Sequence, residues 1–448
     1  MTTENKPFRI GAGCGFAGDR YEPAEILARE ADVEALVFEC LAERTIALAQ
    51  DDLHSSRTEG YDRRILRRLQ RTFPPLAARG GVALTNAGAA NPVAAAHAVK
   101  GLLAELGHPR SAVAAVHNDN VLDTLDLASS RIMGTDDTLV DIKDRIVSAN
   151  AYLGIDGILT ALDEEPAVVI TGRVGDASLF LAPIAHHFSW QRDDLTRMAE
   201  GTLVGHLLEC AGQLTGGYFS NGTDKPVQGL GTLGFPHADV TESGEAVYAK
   251  PDRTGGILNR RTVLEQLLYE IEDPRAYLTP DVTLDLSEVD ITDLGNDRVK
   301  VHGAKAAGVP DHLKVSVGVR DGYLAAAEIS YAGRNSLECA ELARQIIAER
   351  WEQIHGHDPA GLRCDYIGYN ATRPWWQPGR EPSEVRARFT VRTFDREQAR
   401  TLAEEVEALY TNGPAGGGGA TSSIKETIGI VSTLIPRESV TPKVEILS

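Results

Sequence analysis

The sequence predicts an α/β protein: an N-terminal parallel α/β domain of Rossmann-like type, followed by an α+β domain with an antiparallel sheet. Short apolar runs alternate with helical stretches up to about residue 173, and runs of alternating polarity appear from about residue 313. The length of 448 residues exceeds what one ordinary core holds, so two domains are expected. The glycine-rich segment 212–236 sets the boundary, which gives domains at 1–234 and 235–448.

The composition restricts the classes of partner. The formal net charge of −19 disfavours nucleic acid and anionic membranes, because both attract basic surfaces. No apolar run reaches the length of a membrane span, and the polar residues 2–6 are unlike a signal peptide. The five cysteines contain no C-x-x-C, which favours reduced thiols, a cytoplasmic location and no structural metal site. We expect a small molecule as partner and a homo-oligomer as the assembly, and the motifs define neither a metal nor a nucleotide cofactor.

The parallel half is predicted from five short apolar runs: Pro7–Ile10, Ala35–Cys40, Val82–Ala87, Val113–His117 and Ala167–Thr171. Helical stretches separate them, such as Leu41–Gln50, Arg63–Phe73 and Pro92–Leu106. Ligands of such sheets bind outside the carboxyl ends of the strands. We therefore expect the segments after the strands to converge on one cleft, namely Gly11–Arg20, Glu39, Asn86 and Arg173–Asp176.

The loop Gly11–Arg20 carries the most prominent motif of this half. Glycine permits a positive φ and lets the backbone approach a ligand closely. Three glycines match the dinucleotide pattern G-x-G-x-x-G, namely Gly13, Gly15 and Gly18, and Glu39 ends the next run. Two residues oppose a dinucleotide site: Asp19 puts a negative charge where a pyrophosphate would lie, and Pro23 delays the helix that should hold it. The alternatives are a loop that faces another ligand and a tight turn without function.

A helix that ends near residue 210 presents a second candidate group. His206, Glu209 and Cys210 stand at positions i, i+3 and i+4 and so share one helical face. Such a face could supply a base, an acid and a thiol, or metal ligands. The structural alternative is a buried cysteine beside a hydrogen-bonded His–Glu pair.

Polar residues after two other strands could hold a substrate. Asn91 and Pro92 are explained as a helix cap and first turn, whereas the Asn86 amide is left to orient a carbonyl or carboxylate. Arg173 offers a planar fork for a carboxylate or phosphate, with Asp176 as a base. An internal ion pair between Arg173 and Asp176 is the alternative.

The α+β half is predicted from the order of its strands and helices. A hairpin is expected, with strands Leu313–Arg320 and Tyr323–Tyr331 and a turn at Asp321-Gly322. The remaining elements are a helix at Ser336–Ile354, strands at Arg363–Gly368 and Val385–Thr393, a helix from Asp395 to Tyr410 and a strand at Ile424–Pro436.

The glycine run 416–419 could cradle a phosphate or close over a site as a lid. It lacks the Gly-Lys-Ser/Thr end of a Walker A loop. Because sites form where domains meet, we expect Gly417 and Gly418 to reach the interdomain cleft and enclose the substrate beside Glu209. A flexible surface loop is the alternative.

Together these stretches resemble the AtuA family, the acyclic terpene utilisation proteins. The matching stretches run through nearly the whole chain: Gly11–Arg20, Leu41–Gln50, Gly60-Tyr61-Asp62, Asn86–Pro92, Ser148–Gly154, Gly172–Asp176, Gly205–Gly217, Glu265–Glu270, Tyr277–Val282 and Asn412–Gly419. The resemblance implies a catabolic protein of bacteria or fungi that acts on a branched acid or its CoA thioester. It also implies the family core alone, without a further ferredoxin-like C-terminal domain. It supplies no catalytic residues.

The sequence leaves three functions open. The leading one is a hydro-lyase, a hydratase or dehydratase of a branched carboxylic acid or its acyl-CoA ester, which needs an acid, a base and donors for an enolate-like oxygen. The candidate catalytic residues are Asp19, Glu39, Asp176, His206, Glu209 and Cys210, and the candidate substrate-binding residues are Gly13, Gly15, Gly18, Arg20, Asn86, Arg173, Gly417 and Gly418. The alternatives are a nucleotide- or dinucleotide-dependent enzyme that uses the Gly11–Gly18 loop, and a non-catalytic subunit or scaffold of the degradation pathway.

Overall fold

The computed structural model describes residues 6–373 and 382–448. The chain divides into two compact units. Unit one comprises the residues up to Gly318 together with Ile430–Ser448, and unit two comprises Val319–Gly429.

The described strands are β1 (Phe8–Cys14), β2 (Ala35–Phe38), β3 (Val82–Thr85), β4 (Val113–His117), β5 (Ile146–Ala151), β6 (Val168–Thr171), β7 (His237–Val240), β8 (Ala246–Ala249), β9 (Tyr277–Leu278), β10 (Thr283–Asp285), β11 (Asp290–Gly295), β12 (Arg298–His302), β13 (Lys305–Gly308), β14 (His312–Ala332), β15 (Leu362–Ile367), β16 (Glu384–Thr393), β17 (Gly418–Pro436) and β18 (Lys443–Leu447).

The described α-helices are α1 (Glu22–Glu30), α2 (Glu43–His54), α3 (Arg64–Ala77), α4 (Pro92–Glu105), α5 (Asp156–Leu162), α6 (Ser178–His187), α7 (Leu195–Leu208), α8 (Arg260–Leu267), α9 (Ser336–Gln353) and α10 (Arg396–Asn412). Short 3₁₀ turns lie at Leu139–Arg145, Ala211–Gln213, Leu230–Thr232, Pro359–Gly361 and Arg437–Ser439. None of the described helices combines the length and the apolar composition that a transmembrane segment requires.

Unit one is built on a ten-stranded sheet in the order β11-β12-β8-β7-β1-β2-β3-β6-β4-β18. The central strands β1, β2, β3, β6 and β4 are parallel, and antiparallel strands extend the sheet on both sides. The central strands are buried along almost their whole length, as their charge-free sequences predict. The structure thus confirms a mixed α/β fold with parallel and antiparallel sheets.

The strand order of this sheet departs from the Rossmann arrangement. A doubly wound Rossmann sheet reverses its strand order beside the first strand, and the dinucleotide lies in that crevice. Here the other neighbour of β1 is β7, which is antiparallel to it. The parallel strand that flanks the other side of a Rossmann crevice is therefore replaced here by an antiparallel strand.

The predicted boundary at 234/235 lies inside unit one. β7, β8 and β18 all follow that boundary in sequence, yet they belong to the same sheet as β1. The glycines of 212–236 form turns within the unit; for example, the added Cβ of an alanine at Gly212 would lie 2.9 Å from Leu233 Cδ2. Glycine-rich composition marks tight turns as well as linkers, so composition alone does not locate a boundary.

β14 corrects the predicted hairpin. It is one strand of 21 residues and passes through Asp321 and Gly322 without a turn. Gly322 has φ +72°, and an added Cβ there would meet the carbonyl of Thr393. A glycine with positive φ can bend a strand as well as close a hairpin, and the sequence does not distinguish these uses.

Unit two has the element order β-α-β-β-α-β, formed by the C-terminal part of β14, α9, β15, β16, α10 and the first part of β17. Its strands lie in the order β15-β16-β14-β17, and β16 is antiparallel to both neighbours. This order is that of the ferredoxin-like motif. The resemblance implied a core without such a domain, whereas the motif lies within this chain.

The core of unit two follows from sequence periodicity. Alternate residues of β14 face the core, namely Ala325, Ala327, Ile329 and Tyr331. The two helices cover that face with residues at helical spacing: Ala340, Ala343, Ile347 and Trp351 from α9, and Ala399, Leu402, Val406 and Leu409 from α10. The helices and strands predicted for this region from Ser336 onwards therefore exist. β17 begins at Gly418 rather than at Ile424, and the other ends differ by at most two residues.

Candidate functional site

A cavity of about 750 Å³ opens in unit one at the carboxyl ends of the parallel strands. Gly15 follows β1, Glu39 follows β2 and Asp176 lies in the segment after β6. Glu209, at the end of α7, also lines this cavity. Chain connections at this edge of a parallel sheet commonly carry functional side chains.

Several predicted residues line this cavity. They are Gly15, Asp19, Arg20, Glu39, Asp176, Glu209 and Cys210. Asn86, Arg173 and His206 do not line it; they are buried behind it and contact residues that do. The structure therefore brings together polar groups from four post-strand segments and the end of α7.

Other predicted residues lie elsewhere. Gly13 is inside β1, where an added Cβ would clash with the ring of Phe38, so its small size serves strand packing. Gly18 is an exposed loop residue outside the cavity lining. Gly417 and Gly418 belong to unit two, where an added Cβ at Gly417 would lie 3.0 Å from Ile329 Cδ1. Their expected role in enclosing a substrate stays a prediction.

The loop after β1 is held in place by hydrogen bonds within the protein. Asp19 Oδ2 accepts a hydrogen bond from Gly15 N at 3.0 Å, and Asp19 Oδ1 accepts one from Arg20 N at 2.8 Å. The buried Arg68 of α3 donates to three carbonyls of the loop, those of Ala17, Asp19 and Arg20, at 3.0–3.2 Å. Asp19 therefore shapes the loop in addition to facing the cavity.

Gly15 brings this loop against the end of α7. An added Cβ at Gly15 would lie 2.5 Å from the carbonyl carbon of Cys210. Only glycine fits such an approach between two backbones. This contact holds the loop after β1 against the end of α7, next to Glu209.

Glu39 is a buried carboxyl group with its hydrogen-bond donors on one oxygen. Oε1 accepts from Leu41 N at 2.8 Å and from Asn86 Nδ2 at 2.9 Å, while Asn86 Oδ1 accepts from Cys40 N at 2.6 Å. Burial raises the pKa of the Glu39 carboxyl well above its ordinary value, and the negative charge of Asp176 raises it further. This environment thus favours the protonated carboxyl group of Glu39, and Oε2 is the oxygen that accepts neither of these hydrogen bonds.

Glu209 shares a proton with a buried histidine. His206 Nδ1 lies 3.1 Å from Glu209 Oε1, and His206 Nε2 lies 3.1 Å from the carbonyl oxygen of Leu267. Burial raises the pKa of Glu209. Burial lowers the pKa of His206, but the hydrogen bond to Glu209, the charge of Glu209 and backbone carbonyls together outweigh it, so the pKa of His206 is raised as well. Since Nε2 must donate to the carbonyl, the pair either is imidazolium and carboxylate or has its proton on Glu209.

Asp176 is the third carboxyl group and is paired with Arg173. The Arg173 guanidinium donates to Asp176 Oδ1, to the carbonyl of Leu41 and, at 3.0 Å, to the carbonyl of Val174. Burial raises the pKa of Asp176, and the positive charge of Arg173 offsets this only in part. The internal ion pair is the alternative that the sequence left open for Arg173, and it is present.

A family model matches almost the whole chain. The model of the Acyclic terpene utilisation family protein AtuA matches residues 8–446. The chain belongs to the AtuA family. No curated protein gives a significant match. Among solved structures, the de novo designed protein Ferredog-Diesel matches at 17% identity over 23% of this chain and 86% of that one, with a TM-score of 0.15, too low to carry an argument.

Sequence reasoning missed part of the site of this AtuA-family chain. Glu270 and Tyr218 line the cavity and have φ of +60° and +61°, which is uncommon outside glycine. Tyr269 and Gln213 also line it. The stretch Glu265–Glu270 is one of those that carry the family resemblance, and that was the available signal for Glu270.

The thiol that sequence reasoning included, Cys210, is poorly suited to nucleophilic attack. Burial raises the pKa of the Cys210 thiol, and the negative charge of Glu209 adds to the rise. A reactive cysteine needs the opposite environment, one that favours the thiolate. This environment is consistent with the interpretation of Cys210 as a packing residue.

A second cavity, of about 550 Å³, shares Ala42, Asp176 and Glu270 with the first. It is lined by Arg173, Tyr152 and Lys314, among others. Arg173 Cζ lies 4.3 Å from the centroid of the Tyr152 ring, and Lys314 Nζ donates to Glu43 at 2.6 Å. In this AtuA-family site Arg173 and Lys314 therefore line the second cavity and not the first, which Arg20 lines. Among the described residues, no group of three or more His, Cys, Asp or Glu side chains is arranged to hold a metal ion.

Proposed function

We propose that this AtuA-family protein is an enzyme of acyclic terpene utilisation that adds water to, or removes it from, a branched acyl compound. The observation that carries the proposal is a pair of largely buried carboxyl groups, Glu39 and Glu209, that line one cavity and have different hydrogen-bond partners. Two carboxyl groups in different environments can divide the roles of acid and base.

Glu39 is the general acid in this proposal. Its hydrogen-bond partners are neutral amides, its side chain is buried, and the neighbouring Asp176 disfavours its charged form. A protonated Glu39 delivers the proton from Oε2. Asn86 is a positioning residue, because it holds both Glu39 Oε1 and the Cys40 amide.

Glu209 is the general base. His206, when protonated, stabilises the Glu209 carboxylate, and the carbonyl of Leu267 holds the imidazole in place. A carboxylate that is hydrogen-bonded to a histidine can take a proton from water or from a carbon next to a carbonyl. The imidazole then shares the positive charge that arrives with the proton. His206 therefore acts through Glu209 and needs no contact with substrate.

The rest of the cavity suits a branched apolar chain. The apolar and aromatic residues of its wall are Phe16, Tyr218, Leu230, Leu233, Phe235 and Tyr269. Burial of a methyl-branched chain against such a wall is favourable at about 25 cal/mol per Å² of apolar surface. The alternative of a dinucleotide site has less support, because Gly13 lies inside β1 and the strand beside β1 is antiparallel to it, unlike that of a Rossmann sheet.

The first experiment is a thermal-shift panel of branched acids, their CoA thioesters, free CoA, NAD and ATP, since a ligand of the folded state raises the Tm. We expect a shift with a branched acyl compound. Stabilisation by NAD or ATP alone would favour the nucleotide-dependent enzyme, and no shift with any compound together with a co-purifying protein would favour the scaffold.

The second experiment follows hydration of the α,β-unsaturated form of the ligand found. Glu39→Gln and Glu209→Gln should each lower kcat by about 10²–10⁴-fold, whereas Glu105→Gln, on the exposed end of α4, should leave it unchanged. Cys210→Ser should have a mild effect. A dead Cys210→Ser enzyme with an active Glu209→Gln enzyme would contradict the proposal and indicate covalent catalysis.

A further inference from the structure

Two buried thiols lie in contact beside the cavity and have no part in the proposed chemistry. Cys14 Sγ and Cys40 Sγ are 3.5 Å apart. Cys14 ends β1 and Cys40 follows β2, the adjacent parallel strand. Cys40 lines the cavity, whereas Cys14 lies behind it and is fully buried. A small solute that enters the cavity therefore reaches Cys40 first.

Both thiols are tied to the segment that carries Glu39. Cys14 Sγ donates to the carbonyl of Glu39 at 3.0 Å, and the Cys40 amide donates to Asn86 Oδ1 at 2.6 Å. Asn86 in turn donates to Glu39 Oε1. A displacement of Cys40 is therefore transmitted to the hydrogen bonds that position the Glu39 carboxyl.

We propose that Cys14 and Cys40 are an oxidation site that forms an intramolecular disulfide and thereby disorders the Glu39 wall of the cavity. A disulfide requires the sulfurs to come within about 2.05 Å, so the two atoms must approach by about 1.5 Å. Rotation about the side-chain bonds supplies part of this movement. The remainder moves Cys40 relative to Asn86.

The oxidant is a small hydroperoxide. Cys40 sulfur attacks the terminal peroxide oxygen, the O–O bond breaks, and Cys40 becomes a sulfenic acid while the peroxide is reduced to water or an alcohol. Cys14 sulfur then attacks the sulfenic sulfur, the S–O bond breaks, and water leaves with the Cys14 proton. With hydrogen peroxide, two thiols and one peroxide give one disulfide and two waters.

The environments of the two thiols fit these unequal roles. Burial raises the pKa of the Cys14 thiol well above its ordinary value, and the neighbouring Cys40 adds to the rise. Cys14 thus stays protonated and inaccessible until its partner is oxidised. Cys210 lines the same cavity and is the matched control.

The test is peroxide treatment followed by alkylation of free thiols and tryptic peptide mapping. Cys14 and Cys40 lie in separate tryptic peptides, residues 10–20 and 30–44, and Cys210 lies in residues 198–253 because prolines follow Lys225 and Lys250. We expect one cross-linked product that joins the first two peptides, is lighter than their sum by two hydrogen atoms and disappears with a thiol reductant. Cys210→Ala should leave that product unchanged, and Cys14→Ala should abolish it.

Cys14→Ala also gives a second readout. Without a resolving thiol, Cys40 should accumulate as a sulfenic acid that a carbon nucleophile such as dimedone traps. Recovery of both peptides with alkylated cysteines after other thiols of the folded protein have been oxidised would overturn the proposal. A cross-link to Cys210 in place of Cys14 would overturn it as well.

The structural consequence is tested without any substrate. Hydrogen exchange of the segment that contains the Cys40 and Leu41 amides should accelerate in the oxidised protein and return to its initial rate after reduction, since both amides lose hydrogen bonds to side chains. Unchanged exchange in a protein with the confirmed disulfide would show that the bond forms without disturbing Glu39, which contradicts the second half of the proposal. Neither readout depends on the proposed hydration reaction.

Discussion

At the scale of single residues, the environment that suits Glu39 to the role of an acid also makes the folded protein less stable. Glu39 is buried, and its charged form is opposed by burial and by Asp176. Such an arrangement helps a general acid keep its proton, but it makes the folded protein less stable at any pH where an unfolded glutamate would ionise. Functional sites commonly carry this kind of cost in stability.

Glu39→Gln should therefore stabilise the protein in a pH-dependent manner. The folded-state pKa is raised above the ordinary value of 4.5, so the wild type loses stability as the pH rises from that value towards the folded pKa. Glutamine keeps an oxygen for the Leu41 and Asn86 donors and carries no charge. We expect a gain of about 1 kcal/mol near neutral pH.

The measurement is chemical unfolding of both proteins across the acid-to-neutral range. The difference between them should shrink towards zero as the pH falls below the ordinary glutamate pKa, because both side chains are then neutral. A glutamine variant that is less stable at neutral pH would show that Glu39 is ionised in the folded protein.

At the scale of elements, one close approach joins two walls of the cavity. Gly15 follows β1 and touches the backbone of Cys210 after α7. Gly101, in contrast, lies within α4 with open space around the position of its Cβ. Alanine variants of the two glycines therefore distinguish the effect of losing a close contact from the general effect of replacing glycine by alanine.

Gly15→Ala should push the loop away from Glu209 and weaken ligand binding, because the added methyl group meets backbone atoms that cannot rotate away. Overpacking of this kind costs about 1–3 kcal/mol. Gly101→Ala should instead stabilise the protein by about 1 kcal/mol, since alanine is the better helix former. Thermal unfolding and ligand titration of the two variants check this, and wild-type affinity in Gly15→Ala would contradict the close approach.

The same elements explain how far the sequence could predict the structure. The run Val113–His117 became β4 with the same ends, because a charge-free β-branched run between breakers has few other options. β1 extends beyond its prediction to Cys14, since glycine was interpreted as a loop although Gly13 fits beneath Phe38. Neither the pairing of β7 with β1 nor the positive φ of Glu270 leaves a local signal, because both depend on distant parts of the chain.

At the scale of the whole molecule, the chain leaves unit one after Gly318 and returns to it at Ile430. Unit two, with its ferredoxin-like order, is thus an internal segment rather than a C-terminal half. The glycine run 416–419 belongs to unit two. Its predicted role in turnover is the part of the candidate site that has to be tested in the whole chain.

Gly418→Ala is the variant that isolates this role. An added Cβ at Gly418 has open space around it, whereas one at Gly417 would crowd Ile329 and Tyr331. If the run closes over the substrate, Gly418→Ala should lower kcat several-fold by restricting the backbone while the Tm stays unchanged. Gly417→Ala should lower the Tm as well. Full turnover in Gly418→Ala would identify the run as a surface loop.

The ten-stranded sheet cannot be completed until β18 has been synthesised, because β18 pairs with β4. Asn118 Nδ2, just after β4, donates to the carbonyl of Thr441 across 323 positions of sequence. On a ribosome that adds about 5–20 residues per second, the edge of β4 waits tens of seconds for its neighbour. Unpaired strand edges recruit other chains. The nascent protein is therefore most prone to misassembly in this interval, and chaperone dependence should depend more on the speed of translation than on the final stability.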